Sequence, residues 1–398
     1  MKKILISSLI FFAGIIFCGI FYIHLSPGKI NNEFSAQAAD VSQSTYKEIL
    51  KATVTKVLDS DFQQGRRYSR ITQTILAELK NHETVEVYID DQLYDKELQE
   101  LKVGQQIVVG QIEDPEGVAY VFIERYRLPA ILYLVIIFII LSLVFGKIRG
   151  LTSLIGLAIS AIILIWFISP NLLAGKNPNL VILVGSVMIA LISMLIAHGF
   201  KERTVIAIIS TIFTLLVSQL TAFISVYWTR LSGGGSEESF YLAQGFFGNI
   251  NLKGLFLGGI IIGVLGILND ITTSQAATVE EIFLTNPKLS LIELYKKAAS
   301  VGQEHIASLI NTLVLVYAGA SLPLFLLLTL NKSQPFWAII NSESMSEEIV
   351  RTIVGSIALI IALPITTILA SWYFHHQKGK SVEMNSIVTK SNLLFFLK

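Results

Sequence analysis

The chain has 398 residues, 53% hydrophobic and 15% charged, with a formal net charge of +1 and a mean hydropathy of +0.64. A charged share about half the usual one marks an integral membrane protein. The near-neutral balance excludes the dense basic face of a nucleic-acid partner, and one cysteine, Cys18, excludes a disulfide framework or a cysteine-based metal centre.

In chain order, Lys2 and Lys3 precede an apolar run from Ile4 to Leu25, roughly the 20 residues that a spanning helix needs. A secretory signal competes for this segment, because Ala36-Gln37-Ala38 resembles a small-residue cleavage site. The run is longer than an h-region of about 7–15 residues, and the Ala-x-Ala stands well past its end. Residues 1–27 are therefore expected to form an uncleaved signal-anchor transmembrane helix.

Residues 28–127 are compositionally separate and rich in charge. Period-two or β-branched runs occur at Lys51–Leu58, Ile71–Leu79, Thr84–Ile89, Gln106–Ile112 and Val118–Glu124. Turn signals part them: Gly65, Asn81-His82, Asp90-Asp91, Gly104 and Asp114-Pro115-Glu116-Gly117. Short strands at this density predict a small all-β domain, an OB-like barrel. Arg66-Arg67-Tyr68-Ser69-Arg70 could grip an anionic ligand or be a solvated loop between strands.

After Arg127 the character changes. Candidate spans are Leu128–Phe145, Leu151–Ile168, Leu180–Ala197, Val205–Trp228, Leu252–Leu268, Ile306–Leu330 and Ile349–Phe374. With the signal anchor, the fold class expected is an all-α polytopic membrane bundle of about eight transmembrane helices carrying a small extracytoplasmic β domain. Its membrane domain is residues 128–375, and residues 376–398 form a tail. Between the sixth and seventh spans a longer connector is expected. It holds the semi-polar stretches Thr272–Leu284 and Leu289–Gln303, the second read as a helix lying on the membrane face.

Orientation follows from Lys and Arg in short loops. An inside N-terminus places Lys147, Arg149, Lys201, Arg203, Lys288, Lys296 and Lys297 in the cytoplasm, and leaves Lys176, Arg230, Lys253 and Lys332 opposite. The expected location is a bacterial cytoplasmic membrane, crossed several times, with the N-terminus and C-terminus inside and residues 28–127 outside. Trp166, Trp228, Trp337 and Trp372 fall near the span ends, as an aromatic belt requires. Gly254, Gly258, Gly259, Gly263 and Gly266 give overlapping small-xxx-small spacings that read as close helix packing more readily than as an ion path. Pro323 and Pro364 should kink their spans. Ser232-Gly233-Gly234-Gly235-Ser236 reads as a flexible outside loop.

Polar residues gather where the sixth span ends and the seventh begins: Asn269, Asp270, Thr272, Thr273, Ser274, Gln275, Glu280 and Glu281, then Gln303, Glu304, His305, Ser308, Asn311, Thr312 and Tyr317. Ionisable and amide groups at membrane depth are costly, so they are a functional-site hypothesis by default. His305, Ser308 and Thr312 share one helix face, and the topology would let Asp270 and His305 meet. A carboxylate beside an imidazole suits proton relay or cation coordination. The alternative is that these groups cap helix ends and bridge the two spans by hydrogen bonds. Metal ligation lacks a spaced motif, since Gln303-Glu304-His305 has no second His, and no nucleophile elbow surrounds Ser308. His198 reads as an interfacial residue at a helix C-terminus.

In Gly263–Glu281 and Val301–Ala320 the chain resembles the YibE/F family of bacterial multi-pass membrane proteins. The resemblance covers residues 1 to about 375 and implies the architecture above. Where the family pattern often has an Asp before Asp270 and an Arg before Glu304, this chain has Asn269 and Gln303. No biochemical activity comes with the resemblance. The leading expectation is a transporter or permease for an ion or small solute, with Asp270, Gln275, Glu280, Glu281, His305, Ser308, Asn311, Thr312 and Tyr317 along its path. The alternative is a non-catalytic scaffold for envelope assembly with a ligand-binding outer domain. Enzyme activity is not expected, nothing names a cofactor, and the partners are the lipid bilayer and a second copy or another membrane protein.

Overall fold

The computed structural model describes residues 46–64, 69–93, 100–114, 117–244, 250–330 and 334–396. Two units divide the chain, one ending at Val144 and the other running on from Phe145.

In the first unit the alternating segments form β1 (Glu48–Gln64), β2 (Ser69–Leu79), β3 (Thr84–Leu93), β4 (Gln106–Asp114) and β5 (Gly117–Arg125). They close into a barrel in the order β1-β2-β3-β5-β4, with β3 and β5 parallel. Ala52 of β1 shows the closure, pairing with Leu79 on one side and Ile107 on the other. Closure leaves no long unpaired edge. Period-two alternation turns Ile75, Ala77 and Leu79, Val85, Val87 and Ile89, and Ile107 and Val109 into one core. Gln73 belongs to the same inward series and is 1% exposed. Its amide is satisfied by Leu101, donating to the carbonyl at 3.1 Å and accepting from the N–H at 3.0 Å. Turns fall as expected at Asn81-His82 and Gly104, with positive φ at His82 (66°) and Gly104 (87°), but Asp90 and Asp91, expected as a turn, continue β3 and pair with Thr72 and Ile71 of β2. Gly65, Arg66, Arg67, Tyr68, Pro115 and Glu116 lie outside the described residues.

From Leu128 the chain is helical. The first helix, α1 (Leu128–Ile163), is broken by non-helical backbone at Lys147 (φ 51°, ψ −135°) and passes through a π-helical turn at Leu164–Ile168 into α2 (Ser169–Leu173). Next come α3 (Pro178–His198), α4 (Glu202–Thr229), α5 (Glu237–Gln244), α6 (Leu252–Thr285) and α7 (Leu291–Ala320). The last are α8 (Leu322–Leu330), α9 (Phe336–Ile340) and α10 (Glu343–Phe396). Local chemistry sets the ends. Asn177 caps α3 ahead of Pro178, Asn251 accepts from the Gly254 N–H to cap α6, and Ser290 with Glu293 forms a capping box on α7.

Among the described residues, five stretches are long and apolar enough to cross a bilayer: Leu128–Leu173, Pro178–His198, Glu202–Thr229, Leu252–Thr285 and Glu343–Gln377. The chain is a multi-pass membrane protein by that criterion. The spans expected separately at Leu128–Phe145 and Leu151–Ile168 fall in one 46-residue helical stretch with its break at Lys147. At about 1.5 Å per residue it holds enough helix for two crossings of a ~30 Å hydrocarbon core. The expected first span, Ile4–Leu25, lies outside the described residues.

The region between the sixth and seventh spans departs from expectation. Thr272–Leu284 is not a connector but the last turns of α6, so only Asn286–Ser290 joins the helices. Leu289–Gln303 is not a separate surface helix, since α7 is continuous from Leu291 past His305. No proline interrupts it there. The break comes at Ser321, ahead of Pro323, which has no N–H to donate to the Gly319 carbonyl four residues back and whose ring crowds that carbonyl. The backbone of α10 is helical through residues 378–396.

In the second unit α6 is central, packed against α3, α4, α7 and α10. Ile182, Ile208, Leu215, Leu257, Ile260 and Ile261 fill the spaces between these helices. The most apolar window of the Leu128–Leu173 stretch has none of its residues buried, and all four tryptophans noted above are exposed, as lipid-facing and interfacial side chains would be.

Candidate functional site

The polar end of α6 divides its residues among several faces. Thr272 and Gln275 turn inward and are 0% and 3% exposed. The Thr272 hydroxyl meets that of Thr211 on α4 at 2.7 Å. The Gln275 amide donates to the Ala298 carbonyl on α7 at 3.0 Å and to the Thr367 hydroxyl on α10 at 2.8 Å. One side chain thus ties three helices, and this part of the candidate set is structural glue of the kind membrane interiors use.

Asn269, Asp270, Thr273 and Ser274 face elsewhere. They line an open groove of about 830 Å³ together with Arg149, Ser153 and Ser160 of α1, Ser193 and His198 of α3, and Arg203 of α4. Arg203 is held at 2.9 Å from Glu280, one candidate acid, by an ion pair with both side chains about three-quarters buried. His198 feels the charges of Arg203, Arg149, Asp270 and Lys201. Ser160, Ser193 and Ser274 donate to helix carbonyls, at 2.9, 2.6 and 2.8 Å. The Asn269 Oδ1 and Thr273 Oγ1 atoms, both shielded from solvent, have no hydrogen-bond partner among the described residues. Such groups are costly unless something else satisfies them.

The residues expected on α7 stand apart from this groove. Leu294, Ala298, Gly302, Ile306 and Leu313 form its packed seam, whereas Gln303, Glu304, His305, Ser308, Asn311 and Thr312 are exposed. Gly302 sets that rotation, because a Cβ there would lie 2.1 Å from Leu363 Cδ1 and 2.6 Å from Gln275 Oε1. Among the described residues no hydrogen bond or ion pair joins Asp270 to His305. The imidazole that shares Asp270's surroundings is His198. Tyr317 places its hydroxyl over Gly263, 2.7 Å from where a Cβ would stand, and Glu281 is exposed.

A second polar focus escaped the sequence. The loop at Ser232–Gly235, expected to be flexible, is held by the first turns of α10. Glu343 accepts from the Ser232 N–H at 2.7 Å and from its hydroxyl, and Glu347 accepts from the Gly235 N–H at 3.0 Å. Glu347 is only 4% exposed. It lines a cavity of about 230 Å³ with Arg351, whose guanidinium lies 5.4 Å from the centre of the Phe256 ring. The Arg351 Nε atom has no hydrogen-bond partner among the described residues. Acidic residues at a span boundary look like ordinary solvated ends, and only the loop folding back over them buries Glu347.

A family model described as YibE/F-like protein matches residues 134–376, more than half of the chain and the whole of the helical bundle from α3 to α9. No curated protein and no solved structure matches.

Proposed function

The chain belongs to the YibE/F-like family, and from its groove we propose that it is a transporter or permease for a small ion or solute. It would sit in a bacterial cytoplasmic membrane, crossing about eight times, with the barrel outside. The observation that carries this reading is the groove of about 830 Å³ beside α6, where Asp270 shares a concave surface with His198, Arg149 and Arg203. Charges of both signs within an otherwise apolar bundle suit transient solvation of a polar solute, and they are expensive to keep for packing alone. Gln275 and Glu280 support the groove from behind, one by joining helices and the other by fixing Arg203. His305, Ser308, Asn311 and Thr312 then serve at the mouth of the path or at a contact with another copy.

The test is untargeted solute profiling of a deletion strain. Wild type should restore the profile and Asp270→Asn should not, at equal abundance in the membrane. Restoration by Asp270→Asn would refute the assignment of the groove. A second reading, a scaffold whose outer domain captures an envelope ligand, is favoured by the barrel having a core of its own and exposing Ile49 and Tyr88. Capture of a defined cell-wall fragment by the soluble barrel would support it.

A further inference from the structure

Two cavities follow one another along a single face of α6. The groove at Asp270 ends against Ile262 and Gly266, and the smaller cavity at Glu347 reaches Gly259 and Ile262. Ile262 is the residue their linings share. Gly259, Ile262, Gly266, Asn269, Asp270 and Thr273 succeed one another at helical spacing, so the face is continuous.

The glycines of α6 confirm which side is open. A Cβ on Gly258 would lie 1.7 Å from Ile182, and one on Gly254 would lie 2.7 Å from Pro178. Those two serve close packing against α3. Gly259 and Gly266 have nothing within 4 Å of the same position. They face the cavities, one each.

The path carries a carboxylate at each end. Glu347 is buried, with one N–H donor on Oε1. The charged groups acting on it, Glu343, Glu348 and Arg351, all come from α10, while the loop facing it supplies only main-chain N–H and hydroxyl groups. Glu343 is itself occupied by Ser232. One carboxylate is too few oxygens for a hard metal ion, which takes about six or more ligands. It is enough for a proton. Both cavities exceed the ~30 Å³ share of a water molecule several-fold, so water can carry protons to either acid.

We propose that Glu347 and Asp270 are the two proton-binding ends of one path along α6, closed between them by the apolar side chain of Ile262. The proposal rests on the transport reading and names its coupling ion. A proton leaves one carboxylate for cavity water and the other carboxylate takes one up from water. Only O–H bonds are made and broken, and nothing is oxidised or reduced. Ile262 acts as an apolar constriction that keeps the two waters apart in the resting protein.

The experiment uses the full chain in phosphatidylethanolamine–phosphatidylglycerol vesicles loaded with pyranine, with a valinomycin-clamped potassium gradient as driving force. Ile262→Ala should raise proton influx about tenfold over wild type by wetting the constriction. Adding Glu347→Gln or Asp270→Asn should return influx to the wild-type level. Ile262→Ala vesicles as tight as wild type, or a leak indifferent to both acids, would overturn the path. Thiol labelling in a Cys18→Ser background tests it without any flux. Gly259→Cys and Gly266→Cys should react with a charged, membrane-impermeant thiosulfonate from opposite sides, and Ile262→Cys should not react. If both glycine positions are inert, lipid fills the groove and the proposal fails. A chain that restores the solute profile yet shows neither labelling nor leak keeps the transport reading and loses the proton path.

Discussion

Gly302 and Gly266 lie on neighbouring helices, and alanine should move the stability of the protein in opposite directions at the two sites. Both are interior helical positions, where replacing Gly by Ala gains about 1 kcal/mol of helix propensity. At Gly266 nothing lies within 4 Å of the new methyl group, so the gain should be kept. At Gly302 the methyl would stand 2.1 Å from Leu363 Cδ1 and 2.6 Å from Gln275 Oε1. Leu363 can rotate away, but Gln275 is held by two hydrogen bonds to two other helices. Overpacking costs about 1–3 kcal/mol, and disturbing the amide costs about 0.5–1.5 kcal/mol for each bond weakened. Subtracting the propensity gain leaves Gly302→Ala destabilised by roughly 2 kcal/mol.

At about 2.1 cal/mol/K of unfolding entropy per residue, a protein of this size should lose about 2–3 °C in melting temperature, against a rise of about 1 °C for Gly266→Ala. Intrinsic-fluorescence melting of the detergent-solubilised chain reads both in one experiment. A Gly302→Ala variant that melts with or above wild type would mean that α7 does not press on Gln275 as described, and the rotation that exposes His305 would lose its basis.

Other consequences follow from single contacts. Removing either partner of the Arg203–Glu280 pair should cost roughly 1–2 kcal/mol, and exchanging them as Arg203→Glu with Glu280→Arg should recover part of it in the same melting assay; equal losses in single and double variants would show no coupling. Gln73→Ala should cost the barrel about 2–4 kcal/mol, because it strands the Leu101 N–H and carbonyl inside; urea titration of the soluble barrel checks this, and a loss under about 1 kcal/mol would refute it. Hydrogen bonds from Ser290 hold the Glu293 carboxyl below its ordinary value of 4.5. Its contribution to the α7 start is therefore complete above that value and lost as pH falls through the depressed one. Amide exchange at Leu291–Leu294, corrected for intrinsic rates, should rise in acid for wild type and show no such dependence in Glu293→Gln, which has no carboxyl to titrate.

The strands were legible because alternation specifies both a strand and the face it buries, and Gln73 is a polar member of an inward series that its partner Leu101 excuses. Six of the expected spans fall within the five long apolar helical stretches, whereas Ile306–Leu330 is divided at Ser321 between α7 and α8 and is not among those five. Span boundaries were not legible, since nothing in Thr272–Leu284 or Leu289–Gln303 marks where a helix stops at a membrane surface, and both proved to be ordinary continuations of α6 and α7. Polarity on α6 pointed to the correct helix end, but periodicity says which residues share a face and not which neighbour that face meets. The pairing of Asp270 with His305 assumed the latter. Gly302 decides it, and a glycine's role in setting rotation depends on what stands opposite, which no single sequence records.

The same limit explains the glycines. Five of them on one helix read as a packing motif, and a packing motif predicts that each approaches a neighbour. Gly254, Gly258 and Gly263 do; Gly259 and Gly266 do not. A helix needing only close contact has no use for the second pair, which cost about 1 kcal/mol each relative to alanine. On the proposed transport reading, space kept open at that cost, on the face that also carries Asn269 and Asp270 and leads toward Glu347, is the space the path needs. If Gly259→Ala and Gly266→Ala both raise the melting temperature and leave the solute profile intact, that reasoning fails, because the openness would then serve nothing.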